Sequence, residues 1–459
     1  MSQHDFARTN QKHQLVEPEP APDGAVPRET RMQLLYGVNQ ADQCWDFAVG
    51  PDRQRIWQRL REVDTRMIRL FLFDKGAPDP VRDWPTFASY VQAVLNVGAV
   101  PMITFAKFRR PFDDWRAVRW FAEQCGDVVW NCLEQWGPEV AHNWYWCVWN
   151  EPNSEWIGGG LSFEQYRRIY EAVAERALRW LGPYLGGRKP LIGGPAAEGF
   201  RPFWMDWMWR FVNEIDNSLI GFVDWHSYGD WREHGEAGAP CDGEIHRAMM
   251  LAQTSDYELR TQAVSQLLRG RDIRNICGEL NTHSHYTDPV RARFNQSVFG
   301  AAFYISAVLH LMRGSAFAEM YWTGTEDQGG YGMMNKHGDP WPAFHAKKLC
   351  AQYIQYGDWI SFPSWERGTS AVDVVVARGE NGRKSALLVH REGKAAAYPV
   401  AEFDAGLSEC SLLLKIDEAT GNQVTKTACC GSVTFEGYGV GVVTNAVARV
   451  DQEGQVTWS

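Results

Sequence analysis

"WYWCVWNEPNSEWIGGGLSFEQYRRIYEAVAERALRW" (residues 144–180) reads as a strand, a loop and a helix in that order. Its first eight residues are a β-like apolar run that ends in Glu151. Ser162 and Gln165 form an S-x-x-Q capping box ahead of apolar residues at helical spacing, so a helix is predicted to start just after the loop. That places Glu151 where a strand ends. Pro152 excludes the helical region for the residue before it and is expected to hold Glu151 extended. Adjacent strand residues point to opposite faces, so Asn150 and Glu151 can share one pocket only if the strand bends or bulges there.

The same texture repeats from about residue 31 to 350. Further β-like runs stand at 32–39, 67–73, 100–108, 190–196, 222–228, 273–280 and 316–324; with 144–151 they make eight, about 41 residues apart on average, with longer amphipathic stretches between. Eight βα repeats predict an α/β fold, a closed (β/α)8 TIM barrel. A doubly wound open sheet is the alternative, and no Gly-rich dinucleotide turn follows the first run. After about residue 355, period-two runs divided by Asn-Gly and Gly-Asn turns predict antiparallel hairpins, hence a C-terminal antiparallel β-sandwich packed against the barrel. The expected organisation is a polar tail at 1–30, a catalytic barrel at 31–355 and an accessory β-sandwich at 356–459.

Composition narrows the partners. A 459-residue chain with 45 % hydrophobic and 22 % charged residues can bury a large core and carries no fibrous or low-complexity bias. Its net charge of −10 argues against a nucleic-acid or anionic-membrane surface, which needs clustered Lys and Arg. Twenty-two tryptophans supply flat faces that fill cores and stack on apolar C–H faces. There is no apolar run of about 18 residues to cross a membrane, and the N-terminal stretch has neither the basic nor the apolar region of a signal peptide. A cytoplasmic protein with reduced thiols is expected, since the ten cysteines show no CxxC or metal spacing. His283 and His285 stand at i and i+2 without a clear third ligand, so no metal or cofactor is expected.

In such a barrel the reactive groups sit at the C-terminal ends of strands. Two runs end in glutamate: the fourth in Glu151 and the seventh in Glu279. Three strands apart, both can lean toward a common point, a pairing suited to displacement at a sugar's anomeric carbon. The tryptophans before Glu151, with Trp156 on its loop, predict an apolar setting that keeps it protonated; Asn281, Thr282 and His283 after Glu279 predict donors that keep it ionised. Glu198 and Asp327 are further acids of the barrel mouth, read as solvated loop residues.

The full set of motifs resembles the clan A glycoside hydrolases. WNEPN (149–153) matches the clan's acid/base motif at strand four, and His226-Ser227-Tyr228 resembles its His-x-Tyr after strand six. Arg69 and Trp322 fall where the clan carries an arginine and a sugar-platform tryptophan. "GMMNKHGDPWPAFHAKK" (332–348) looks like the segment after strand eight in glycoside hydrolase family 39, whereas "CGELNTHSHY" (277–286) departs from that family's xylosidase and iduronidase members. The resemblance implies a retaining glycoside hydrolase with Glu151 as acid/base and Glu279 as nucleophile. It also implies Asn150 donating to the sugar 2-hydroxyl, Tyr228 orienting Glu279, Arg69 supporting its charge, His226 bordering the sugar and Trp322 flooring the subsite. Trp156 and His283 are candidate substrate contacts. The implied partner is a carbohydrate, with β-xylosidase-like exo-action on oligosaccharides or glycosides first. An α-L-arabinosidase or endo-acting exopolysaccharide hydrolase is the alternative within the family, and a catalytically silent carbohydrate-binding barrel the alternative outside it.

Overall fold

Eight parallel strands close into a barrel in the computed structural model. The structure describes residues 29–41, 44–73, 83–106, 112, 114–155, 157–199, 202–230, 243–284, 293–326, 330–363, 371–380, 382–407, 411–429, 431–451 and 456–458. A short strand, β1 (Thr30–Arg31), precedes the barrel strands β2 (Leu35–Asn39), β3 (Met67–Leu72), β4 (Val100–Phe105) and β5 (Tyr145–Val148). These are followed by β6 (Ile192–Ala197), β7 (Phe222–Asp230), β8 (Arg274–His283) and β9 (Ala318–Tyr321). Each of the eight falls on one of the predicted runs.

Alternation along these strands builds the barrel interior in layers. Met67, Met102, Tyr145, Phe222, Ile276 and Met320 form one apolar cluster. Two residues further along their strands come Arg69, Thr104, Cys147 and Asp224, all fully buried. Inward positions of a strand recur every second residue, so an apolar plug passes directly into a polar floor beneath the mouth.

The helix after β5 is α1 (Phe163–Leu185). Ser162 Oγ accepts from Gln165 N at 3.2 Å and Gln165 Oε1 accepts from Ser162 N at 2.8 Å, the reciprocal capping the sequence predicts. Two later helices, α2 (Val298–Arg313) and α3 (Pro342–Tyr353), join the barrel to the C-terminal part. Every residue of α2 from Val298 to Met312 is buried, as befits a helix covered on all sides. No helix of the described residues is long and apolar enough to cross a membrane.

The C-terminal sheet contains β10 (Trp359–Ser361), β11 (Val372–Arg378), β12 (Lys384–His390), β14 (Ser411–Asp417), β15 (Thr425–Cys429) and β17 (Gly439–Thr444). They are ordered β1-β10-β11-β12-β17-β14-β15 and every pairing is antiparallel. The strands β13 (Ala396–Pro399) and β16 (Ser432–Phe435) pair as a second, smaller sheet. Alternation again sorts the faces: Val375, Leu387, Val389, Val440 and Val442 join the core that holds α2 and α3. Val374, Leu388, Leu413 and Val443 pack with Val433 and Phe435 of β16. Arg391 ties the sheet to the barrel, reaching Asp373 at 3.0 Å and the Leu251 carbonyl at 2.7 Å. The edge strand β1 comes from ahead of the barrel, with Thr30 opposite Ile360.

Candidate active site

The WNEPN segment turns sharply where β5 ends. Trp149 and Glu151 take positive φ angles, 77° and 45°, the conformation that costs a non-glycine residue most. This bend lets consecutive side chains serve one pocket, and it corrects the extended backbone expected for Glu151. Proline restricts the right-handed region, but the closing bonds decide the conformation. Glu151 N donates to Ala196 O at 3.0 Å on the neighbouring strand, and Glu151 O accepts from Ser154 N at 2.9 Å. Trp149 points away, onto Phe112 and Phe121, with Nε1 bonded to Gly158 O at 2.9 Å.

Glu279 reaches the same pocket by a bulge. On the β7–β8 ladder Trp225 pairs with Cys277 and His226 with Glu279, so Gly278 is one extra residue on β8. The shift turns Glu279 inward, in phase with Asn281 and His283.

Arg69 stands at the centre, fully buried. Its Nη1 donates to Glu279 Oε1 at 2.7 Å, Nη2 to Asn150 Oδ1 at 2.8 Å and Nε to Thr104 Oγ1 at 2.8 Å. Nη1 also lies 3.3 Å from His226 Nε2. Arginine can only donate, so that nitrogen accepts and the proton of a neutral His226 sits on Nδ1. Nδ1 is 2.7 Å from Glu151 Oε1. Burial and the Arg69 charge push His226 well below its usual range, in keeping with a neutral ring. Tyr228 donates to Glu279 Oε2 at 2.6 Å.

The two glutamates are not equivalent. Burial, then the charges of Glu279 and the exposed Glu198, push Glu151 well above the carboxylate range. Burial also raises Glu279, to about 7, while Arg69 and the Tyr228 hydroxyl hold it down. Glu151 therefore keeps its proton longer. The reason for the difference is other than the sequence neighbours predict. The tryptophans of the run face the core, and the donors on Glu279 come from β3 and β7 rather than from Asn281, Thr282 and His283. Asn281 bonds the Trp322 carbonyl, and His283 stacks on Tyr331 at 4.9 Å beside Asn295. Trp322 is half-buried and meets Phe71 edge-on at 5.6 Å. Trp156, His285 and Asp327 lie outside the described residues.

Sequence reasoning missed Asn39, Thr104 and Asp224. Asn39 Nδ2 donates to the Gly278 carbonyl at 2.9 Å and its Oδ1 lies 3.4 Å from Arg69 Nη1. A signal was present, since each stands at an inward position on its strand, and Asp224 lies two residues before His226.

One oxygen from each glutamate and one His226 nitrogen lie within 4.8 Å of one another, a spacing a divalent cation could span. The Arg69 guanidinium against two of the three opposes a cation, and the set fits a carboxyl pair in opposite protonation states better. Carboxyls of a retaining pair stand ~5–5.5 Å apart, whereas an inverting pair needs ~6.5–9.5 Å. Here one oxygen of Glu151 and one of Glu279 lie within 4.8 Å of each other.

Among solved structures, a family 39 β-xylosidase from Caulobacter crescentus superposes with a TM-score of 0.61 at 16 % identity, over 92 % of this chain and 97 % of that one. In sequence, a β-xylosidase of Geobacillus stearothermophilus is 24 % identical over 272 residues, 57 % of this chain and 49 % of the relative. The chain resembles the family 39 glycoside hydrolases. A second β-xylosidase, from Caldicellulosiruptor saccharolyticus, is 23 % identical over 48 % of this family 39-like chain and 43 % of its own length. The chain thus spans about half the length of the curated relatives it matches. A family 51 α-L-arabinofuranosidase from Bifidobacterium longum shares the fold nearly as well, with a TM-score of 0.59 at 16 % identity, covering 91 % of this chain and 96 % of that one. No family model matches the chain.

Proposed function

We propose that this chain is a retaining glycoside hydrolase that acts by two displacements, with β-xylosidase-like exo-action on oligosaccharides or glycosides. The observation that carries the reading is one buried arginine and one tyrosine on Glu279 and, among the described residues, none on Glu151, with carboxylate oxygens within 4.8 Å. Glu279 Oε1 takes the Arg69 bond and Oε2 the Tyr228 bond. Both orient the carboxylate and favour its charged form.

In the first step a Glu279 oxygen bonds to the anomeric carbon as the glycosidic C–O bond breaks. The leaving oxygen takes the Glu151 proton and departs as an alcohol. His226 donates to Glu151 Oε1, so the transferable proton belongs on Oε2. Water then attacks the glycosyl ester from the face the alcohol left, Glu151 takes its proton, and the bond to Glu279 breaks. Asn150, held by Arg69, directs its amide NH2 to the sugar 2-hydroxyl. No cofactor is needed, because every proton and electron pair stays between sugar, water and the two carboxyls.

Activity requires Glu279 ionised and Glu151 protonated. The rate is expected to rise with pH through about 7 and fall again where Glu151 loses its proton. A panel of aryl β-xylosides, α-L-arabinosides, glucosides, galactosides and uronides tests the reading, with product analysis on oligosaccharides for exo versus endo action. Turnover of the arabinosides alone would move the assignment to arabinosidase. Inertness toward all would favour a silent carbohydrate-binding barrel.

A further inference from the structure

Asp224 takes no part in the two displacements, yet it is fully buried beneath them. Its Oδ2 lies 3.6 Å from Arg69 Nη2 and accepts from Cys147 Sγ at 3.5 Å. On its other side is Gly278, the bulged residue just before Glu279. A Cβ on Gly278 would fall inside the Asp224 carboxylate, so only glycine there admits the acid. The bulge that aims Glu279 thus also makes room for Asp224. Arg69, meanwhile, serves two buried carboxylates with one charge. A buried acid that shares its one cation with another carboxylate is expensive, and an apolar side chain would fill the space at lower cost.

We propose that Asp224 is a positioning residue that anchors the far side of Arg69 and tempers its hold on Glu279, and that Gly278 is the space kept for it. The inference rests on Glu279 being the nucleophile. Arg69 left with Glu279 alone would bind the carboxylate as a private ion pair, making it a poorer attacking group. A second carboxylate on the same guanidinium divides that attraction while Nη1 and Nη2 stay directed at Glu279 and Asn150. The groups facing Asp224 are Arg69 from β3, Cys147 from β5 and the backbone N–H groups of Gly278 on β8 and of Trp225 on its own strand; the carboxyls of Glu151 and Glu279, the thiol of Cys277 and the hydroxyl of Tyr166 also feel its charge. Burial lifts Asp224 to about 6 against the pull of Arg69. Above that pH its negative charge raises both Glu279 and Glu151.

Two measurements test the proposal. On an aryl glycoside that the wild type hydrolyses, Asp224→Asn is expected to move both limbs of the kcat/KM–pH profile to lower pH, by roughly one unit. A drop in rate with both limbs in place would make Asp224 merely structural and overturn the proposal. The second readout does not depend on the sugar: thermal midpoints of Gly278→Ala, Asp224→Ala and the double variant. Gly278→Ala is expected to be costly alone and nearly free in the Asp224→Ala background; additive losses would overturn the pairing. A wild type inert on every glycoside would instead overturn the nucleophile reading, and the stability cycle would still decide whether Gly278 is kept for Asp224.

Discussion

Two buried charge clusters sit on the same barrel and are built on opposite plans. On the outer side of β9, Lys347 of α3 donates to Glu319 Oε1 at 2.6 Å, Tyr304 OH at 2.7 Å and the Gly37 carbonyl at 2.8 Å. One ammonium with three donors meets three acceptors, and one carboxylate balances one cation, with both side chains fully buried. Inside the barrel a single guanidinium faces Glu279 and Asp224, with Glu151 beside them. In the first cluster one cation matches one carboxylate, so no surplus acid is forced to keep a proton. The second holds more acid groups than its cation can neutralise, so one must keep a proton, and that surplus lets it do acid–base chemistry.

The sharpest break of the comparison is Glu279→Ala. Hydrolysis of aryl glycosides is expected to fall by about four orders of magnitude or more. Added azide should restore turnover and yield a glycosyl azide of inverted configuration; wild-type rates in the variant would remove Glu279 from the chemistry. Glu151→Gln comes next, with losses of roughly 10²–10⁴ on poor leaving groups and far smaller losses on activated phenols that need no acid. It should also abolish the alkaline limb of the pH profile, and a uniform loss across leaving groups would contradict the acid role.

Lys347→Met sharpens the comparison from the other cluster. It strands the Glu319 charge and is expected to cost ~3–5 kcal/mol in denaturant unfolding, with turnover per folded molecule unchanged. Adding Glu319→Gln should recover most of the loss. Tyr228→Phe carries the smallest effect. Loss of one bond to a charged oxygen is worth ~1.5–3 kcal/mol, a fall in kcat/KM of roughly tenfold to a hundredfold. The hydroxyl lowers the Glu279 pKa, so its removal should move the acid limb to higher pH. An unmoved limb would mean that Tyr228 only packs there.

The two clusters also differ in how far they could be read in advance. Glu151 and Glu279 were legible because each ends an apolar run, and eight such runs imply a ring. Ser162 and Gln165 were legible because a capping box is a contact between residues three apart. Asp224 was not, because its meaning lies in Arg69, 155 residues earlier, and in the missing Cβ of Gly278, 54 residues later. Lys347 and Glu319 went unread for a similar reason: α3 has to pack on β9 before the pair exists. The backbone of Glu151 was misread from Pro152, since a bond to Ala196 on the next strand outweighed the local preference.

By itself the sequence determined what short-range physics determines. Period-two and period-3.6 patterns place strands and helices, and the count and spacing of runs select a barrel with an antiparallel sheet beyond it. Strand-end carboxylates nominate the reacting groups. Only the tertiary structure decided which acid keeps its proton, because burial and charge act through space. Glu279 meets Arg69 and Tyr228 from two other strands, while Glu151 meets a neutral histidine and other acids. The bulge at Gly278 and the bend at Glu151 bring these groups within hydrogen-bonding reach, and both depend on bonds to neighbouring strands that the chain order alone does not specify.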